Sequence, residues 1–315
     1  MGHWSTLRVE FVAMASPCSI TIDTRDEGAA QHAADLAVAE VRRIEQKYSR
    51  YQPDSVVSRI NRDAAQTAVA VDEETAGLLD FAQRLWQLSG GCFDISSGVL
   101  RRAWDFRSEQ IPTAEVLRAA LDGVGWSRLS WDGASIRFGV DGMEIDFGGI
   151  GKEYAADRAA HQLRQQGVEN ALVNLGGDIH ALGPHARADG LGDPWTIAIR
   201  HPRNAAESIA LLPLHRGGLA TSGDYERFFE KDGRRYCHIL DPRNGLPVTH
   251  WQSVSIVSAN AVSAGALSTI AMLKEHDALA WLEAQGASYL AVRHDGAFFS
   301  KGAQPSTGVN QPATA

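Results

Sequence analysis

The chain is poor in cysteine: Cys18, Cys92 and Cys237 are the only three among 315 residues. They lie far apart, are odd in number and form no CxxC pair. That argues against a disulfide framework or a cysteine-based zinc site, and the default setting is a reducing compartment. The chain also lacks a positive excess, with 30 Lys and Arg against 38 Asp and Glu and a formal net charge of −8. It has no basic run and no aromatic–basic stripe, so nucleic acid is not the expected partner. An anionic ligand would have to be met by local cations, a metal or backbone amides. No apolar run reaches the roughly 18 residues of a membrane span. The N-terminal stretch "RVEFVAMASPCSITID" is broken by Glu10, and Pro17 directly before Cys18 makes a poor lipoprotein cleavage site. The expectation is a cytoplasmic protein, unless a leader was removed.

A hydrophobic content of 44% is enough for a full core. No internal repeat and no linker divides the chain. One domain is expected over residues 1–300, followed by a Pro-, Ala- and Thr-rich tail, 301–315, that reads as disordered. Helical spacing of Ala33, Ala37, Val41, Ile44 and Tyr48 predicts a helix over 29–48. A second is predicted near 73–89, stopped by Gly90 and Gly91, and a third near 113–121. The N-terminal stretch reads as two strands with a turn near Ser16 and Pro17. "SIRFGV" and "MEIDF" read as a hairpin turning at Asp141 and Gly142, with Asp146 ending its strand. Strands and helices then mix without strict alternation, which points to α+β rather than a doubly wound sheet.

Polar groups concentrate in "LATSGDYERFFEKDGRRYCHILDPRNGLPV", Leu219 to Val248, between glycines and prolines. Loops at strand ends hold sites in this way. Within it His238 is the proton-transfer candidate, with Asp241 and Asp224 as helpers. "DFGGIGKEYAADRA" is a glycine loop opening a helix, with Asp146 before it and Lys152 inside it. Amides at a helix N-terminus plus a lysine suit an anion, although a tight packing turn would use the same glycines. It is neither a P-loop nor a dinucleotide fingerprint: Glu153 stands where the first needs Ser or Thr, and Tyr154 where the second needs Gly. Tyr51 in "SRYQPDSVVSRIN" offers a flat face for a ring, while Ser55, Ser58 and Asn61 suit helix capping. Phe93 and Asp94 in "GGCFDISSGVL" place an aromatic beside a carboxylate. Asn174, Asp178 and His180 surround a Gly-Gly turn in "VNLGGDIHALG".

These segments, together with "SVSIVSANAVSAGALSTIAML", resemble in order the FAD:protein FMN transferase family, also called the ApbE family. The similarity runs from about Met14 to about Leu282. The resemblance implies a T-fold-like α+β single globular unit, with mixed, largely antiparallel sheets and packed helices. It implies a Mg²⁺-dependent enzyme that takes FAD as substrate, moves the FMN half to a Thr or Ser hydroxyl of an acceptor protein and releases AMP. Met14, Tyr51 and the segment Cys92, Phe93 and Asp94 would line the flavin or adenine pockets. Asp146, Lys152 and Ile239 would also contact FAD, and His238 would take part in turnover. The metal would use the Gly149 carbonyl and Thr269. The family also places a metal-binding Asp four residues before that Thr, where this chain has Gly265. Glu153, where the family often has Gly, would either fill that vacancy or pair with Lys152. If nothing fills it, the metal would bind weakly, or the chain would be an FAD-binding or storage protein. An FAD pyrophosphatase using the same site is the other alternative.

Overall fold

The computed structural model describes residues 3–186 and 192–302. The expected tail therefore lies outside the described residues, apart from Lys301 and Gly302. Strand Ser5–Ala13 alternates covered and exposed side chains, as a strand with one wet face does, and pairs antiparallel with Ser16–Thr24. The turn falls at Met14 and Ala15, which both take positive φ, 51° and 57°. Two such residues match the twist of a tight hairpin. Pro17, expected in the turn, is instead paired opposite Val12.

From this hairpin the main sheet continues through Ala171–Leu175, Asp178–Ala181, Gly217–Gly223, Trp251–Ser258, Ser288–Arg293 and Phe298–Lys301. Every neighbouring pair in it is antiparallel. Helices Glu27–Tyr48, Gly151–Gln165 and Ala261–Lys274 cover one face. The first buries Ala30, Ala33, Ala34, Ala37, Val41 and Ile44, a stripe at three- and four-residue steps. The second buries Ala155, Ala156, Ala159 and Ala160. Small side chains on both let the helix axes approach closely. The other face is covered by the hairpin Trp195–Arg200 and Ser208–Leu214, whose Trp195, Ile197, Leu212 and Leu214 pack on Ile179, Leu219 and Leu290. Helices on one face of an antiparallel sheet make this an α+β fold, as the sequence implies.

The expected hairpin of "SIRFGV" with "MEIDF" does not form. Ser135–Phe138 pairs with Leu129–Trp131 and Val69–Ala70 instead. Residues 143–147 belong to no strand. Their backbone is satisfied by other means: Asn61 accepts from the Ile145 N–H at 2.7 Å and donates to its carbonyl at 3.0 Å, and the Asp146 N–H donates to the Ile95 carbonyl at 2.9 Å. Asn61, read as a capping residue, holds this segment in place. Ser55 does cap its helix, Val56–Asp63.

One side chain locks two of the helices together. Asp157, on the Gly151–Gln165 helix, accepts from the N–H groups of Ala261 and Val262 at 2.8 and 3.0 Å, and sits 2.6 Å from His180 Nδ1. It caps the N-terminus of Ala261–Lys274 from outside that helix. Asp157→Ala is expected to cost about 1–3 kcal/mol, read as a lower urea midpoint at unchanged slope. A loss under about 0.5 kcal/mol, typical of a neutral surface change, would show that the cap contributes nothing.

Candidate functional site

The glycine loop ends at Ile150, which has no side chain to cap the helix beginning at Gly151. No side chain caps this end; the Gly151 N–H donates to the Phe147 carbonyl at 2.7 Å, which leaves the next two amides, of Lys152 and Glu153, as the ones an anion could use. Lys152 lies in that turn with Nζ 2.6 Å from Asp178 Oδ2. Burial pulls the Lys152 pKa down, but Asp178 and Glu153 outweigh it and the net shift is upward. Phe93 lies over the loop, its ring 3.3 Å from where a Cβ on Gly149 would stand.

Asp146, just before the glycines, holds Arg50 at 2.5 Å and accepts from the Gly148 N–H at 3.1 Å. Arg50 in turn donates to the Tyr51 hydroxyl at 3.0 Å, with its guanidinium 5.1 Å from that ring's centre. Tyr51 is 75% exposed. A tyrosine fixed by an arginine yet open to solvent contributes little to packing and offers a platform for a planar ligand. Met14 is held at the hairpin turn, its N–H donating to Glu45 Oε1 at 2.6 Å.

Cys92 and Asp94 are turned inward. The Cys92 thiol lies 3.4 Å from the Ser89 carbonyl, and burial pushes its pKa up. The Asp94 carboxylate accepts from the Ser96 N–H, the Ser96 hydroxyl and the Trp126 N–H at 2.6–2.8 Å. It caps the short helix Ile95–Arg102.

His238 follows strand Arg234–Cys237, and its backbone N–H donates to the Arg227 carbonyl at 3.0 Å. The residue is partly covered, while Nδ1 is sealed from solvent without a partner. Burial first, then the charges of Arg227 and Lys152, lower its pKa to about 4. The imidazole is neutral near pH 7. The expected aspartate helpers point elsewhere. Asp224 forms a two-pronged pair with Arg203 at 2.6 Å on both oxygens. Asp241 pairs with Arg243 at 2.7–3.1 Å. Neither carboxylate bonds His238 among the described residues. The next residue, Ile239, accepts the Val248 N–H through its carbonyl at 3.0 Å.

The Ala261–Lys274 helix closes the site. Ser222 Oγ lies 3.0 Å from Thr269 Oγ1 and 2.8 Å from Ser268 Oγ, and Ser268 donates to the Gly265 carbonyl at 3.0 Å. Glu153 packs against Gly265 and is 7% exposed. Burial, then the nearby Asp178 charge, raises its pKa. Lys152 has taken Asp178 as its close partner rather than Glu153. No group of three or more His, Cys, Asp or Glu among the described residues could hold a metal ion. A cation here would depend on hydroxyl and carbonyl oxygens with one carboxylate, the chemistry of Mg²⁺ rather than zinc. Two surface grooves of about 510 and 460 Å³ share no residue with this cluster.

The structure thus brings Arg50 and Ser268 into the neighbourhood, neither of which the sequence singles out. Arg50 stood inside a quoted segment, but its partner Asp146 is 96 residues away. The partly covered His238 also contributes to the acid stability. Its folded pKa is below the ordinary value of 6.5, so the unfolded chain binds the extra proton first. Its contribution is complete above about pH 6.5 and is lost as pH falls toward 4, by about 2–3 kcal/mol. Urea unfolding of His238→Gln against the parent at pH 7, 5.5 and 4.5 is expected to show a shallower pH slope in the variant.

The ApbE family model matches residues 14–291. The chain is 33% identical over 265 residues to the FAD:protein FMN transferase of Klebsiella pneumoniae (strain 342), covering 82% of this chain and 79% of the relative. It is 32% identical over 285 residues to that of Treponema pallidum, covering 83% and 76%. The crystal structure of the ApbE protein from Thermotoga maritima superposes with a TM-score of 0.86 at 32% identity, over 95% of this chain and 97% of that one. Flavin transferase ApbE from Vibrio cholerae gives 0.82 at 28%, over 97% and 98%.

Proposed function

The chain belongs to the ApbE family, and on that premise we propose that it transfers the FMN half of FAD to a Thr or Ser hydroxyl of an acceptor protein and releases AMP. The observation that carries the reading is Lys152, fixed by Asp178 in the first turn of a helix that no side chain caps, together with a His238 whose Nδ1 is sealed from solvent. A pyrophosphate needs the cation and the amides, and an attacking hydroxyl needs the base. The relatives named above support transfer over storage or hydrolysis, since both curated ones are called transferases.

In the proposed step the acceptor oxygen bonds to the FMN phosphorus. The bridging P–O bond breaks, and AMP leaves with the electron pair. Lys152 and the first-turn amides hold the pyrophosphate in line and offset its charge. With Nδ1 sealed and the residue only partly covered, Nε2 of His238 is the nitrogen placed to take the hydroxyl proton. Tyr51 offers a face for a ring system, Phe93 backs the glycine loop from inside, and Met14 and Ile239 would add apolar contacts. Asp146 sets Arg50 and thereby Tyr51. Asp224 and Asp241 act at a distance, by holding the arginines around the His238 loop.

The site fits a divalent cation. An oxygen of the buried Glu153 carboxylate has no partner. Mg²⁺ would be held by that carboxylate, the Thr269 hydroxyl and the Gly149 carbonyl, and when bound it would neutralise charge on the phosphate oxygens. No helix among the described residues is long and apolar enough to cross a membrane.

The test is incubation of the protein with FAD and an acceptor peptide, with and without Mg²⁺, following AMP and peptide mass together. One FMN gained per AMP released is expected. AMP without modified peptide would indicate hydrolysis instead. His238→Ala is expected to lower turnover by about 10²–10⁴-fold, and unchanged turnover would remove His238 from the chemistry.

A further inference from the structure

Among the described residues, Glu153 is a buried acid that the fold leaves unexplained. It opens the Gly151–Gln165 helix, yet it points into the interior and is 7% exposed. Its Oε2 is sealed from solvent and has no hydrogen-bond partner. A carboxyl group taken out of water without a partner is costly, and a cation placed against it removes that cost. The nearest cation does not. Lys152 Nζ sits 2.6 Å from Asp178 Oδ2. Asp157, the other acid nearby, is already satisfied by two helix amides and His180. The buried group therefore holds two carboxylates, Glu153 and Asp178, against one lysine.

The opposite wall of this space is Gly265. A Cβ there would stand 2.3 Å from Glu153 Oε1, 2.5 Å from Cγ and 2.7 Å from Cδ. No side chain at 265 is compatible with Glu153 where it lies. Gly265 and Thr269 are four residues apart on one helix, so they share a face. The Glu153 carboxyl thus fills the position that a side chain at 265 would occupy, one turn from the Thr269 hydroxyl. Ser222 and Ser268 add hydroxyl oxygens beside that of Thr269. Hydroxyl oxygens together with a carboxylate are what a hard divalent cation takes.

We infer that Glu153 is the carboxylate ligand of a divalent cation, delivered from the Gly151–Gln165 helix across the gap that Gly265 leaves open. The two positions form one unit: the acid is on one helix and its absence on the other makes room for it. This rests on the reading that the transferase site takes a divalent cation. It predicts that the acid can be moved across the gap, because a shorter carboxylate on 265 facing a glycine at 153 returns an oxygen to the same space.

The experiment is a Mn²⁺ titration followed by electron paramagnetic resonance, on protein alone and on protein saturated with FAD, without acceptor. Melting temperature is recorded for each variant. Glu153→Gln keeps the shape and removes the charge. It is expected to weaken Mn²⁺ at least about tenfold, in line with the loss of a charged ligand, while remaining folded. Gly265→Asp alone is expected to lower the melting temperature, since its Cβ meets Glu153. The double variant Glu153→Gly with Gly265→Asp is expected to recover both folding and Mn²⁺ affinity to within a few-fold of the parent. A folded Glu153→Gln that binds Mn²⁺ like the parent would overturn the assignment, as would a parent that shows no saturable Mn²⁺ site in either condition. Failure of the transferase reading is separate: Mn²⁺ binding would follow Glu153 while FAD and acceptor yielded no flavinylated product.

Discussion

The site depends on how closely the Gly151–Gln165 and Ala261–Lys274 helices approach at their N-terminal ends. Asp157 sets that approach by capping one helix from the other. Gly265 permits it, since any Cβ there would collide with Glu153. Everything with chemistry on this side hangs from the contact. Lys152 and Glu153 sit one residue apart on the first turn, and Thr269 lies one turn past Gly265. Had either helix been moved back by a side chain, the lysine, the acid and the hydroxyls would no longer face one space.

A second feature is how an acidic chain prepares a place for an anion. The net charge of −8 repels a dinucleotide at long range. Locally, the acids around the site other than Glu153 are committed. Asp146 is held by Arg50, Asp178 by Lys152, Asp224 by Arg203 and Asp241 by Arg243. These pairs fix cations in position, and fixed cations with uncapped amides cost no reorganisation when phosphate arrives. His238 is the counterpart. Burial, and then the charges of Arg227 and Lys152, keep it in the neutral form that a proton acceptor needs.

The antiparallel sheet explains why these parts come from distant segments. Ser222 ends one strand, His238 follows a small hairpin beyond it, and the glycine loop leads into a helix packed against the sheet. Successive strands return to the same end of the sheet, and loops placed there by a rigid scaffold carry function.

The sequence by itself determined the elements whose signals are local. The stripe of Ala33, Ala37, Val41 and Ile44 specified its helix, and the Gly90 stop held in the left-handed conformation that a helix end favours. The ordered motifs were enough for the family, and the vacancy at Gly265 together with an extra acid at Glu153 was visible as an oddity. The residues 143–147 were misread, because alternation says nothing of an asparagine 84 residues away that takes the place of a strand partner. The helper roles of Asp224 and Asp241 were assigned from proximity along the chain, whereas their arginine partners decide where they point. Which acid Lys152 would choose, and that Glu153 would face Gly265 with an oxygen unpaired, depended on helix–helix distance. A spacing in sequence fixes the face of a helix, and only the packing of a second helix against it decides what that face meets.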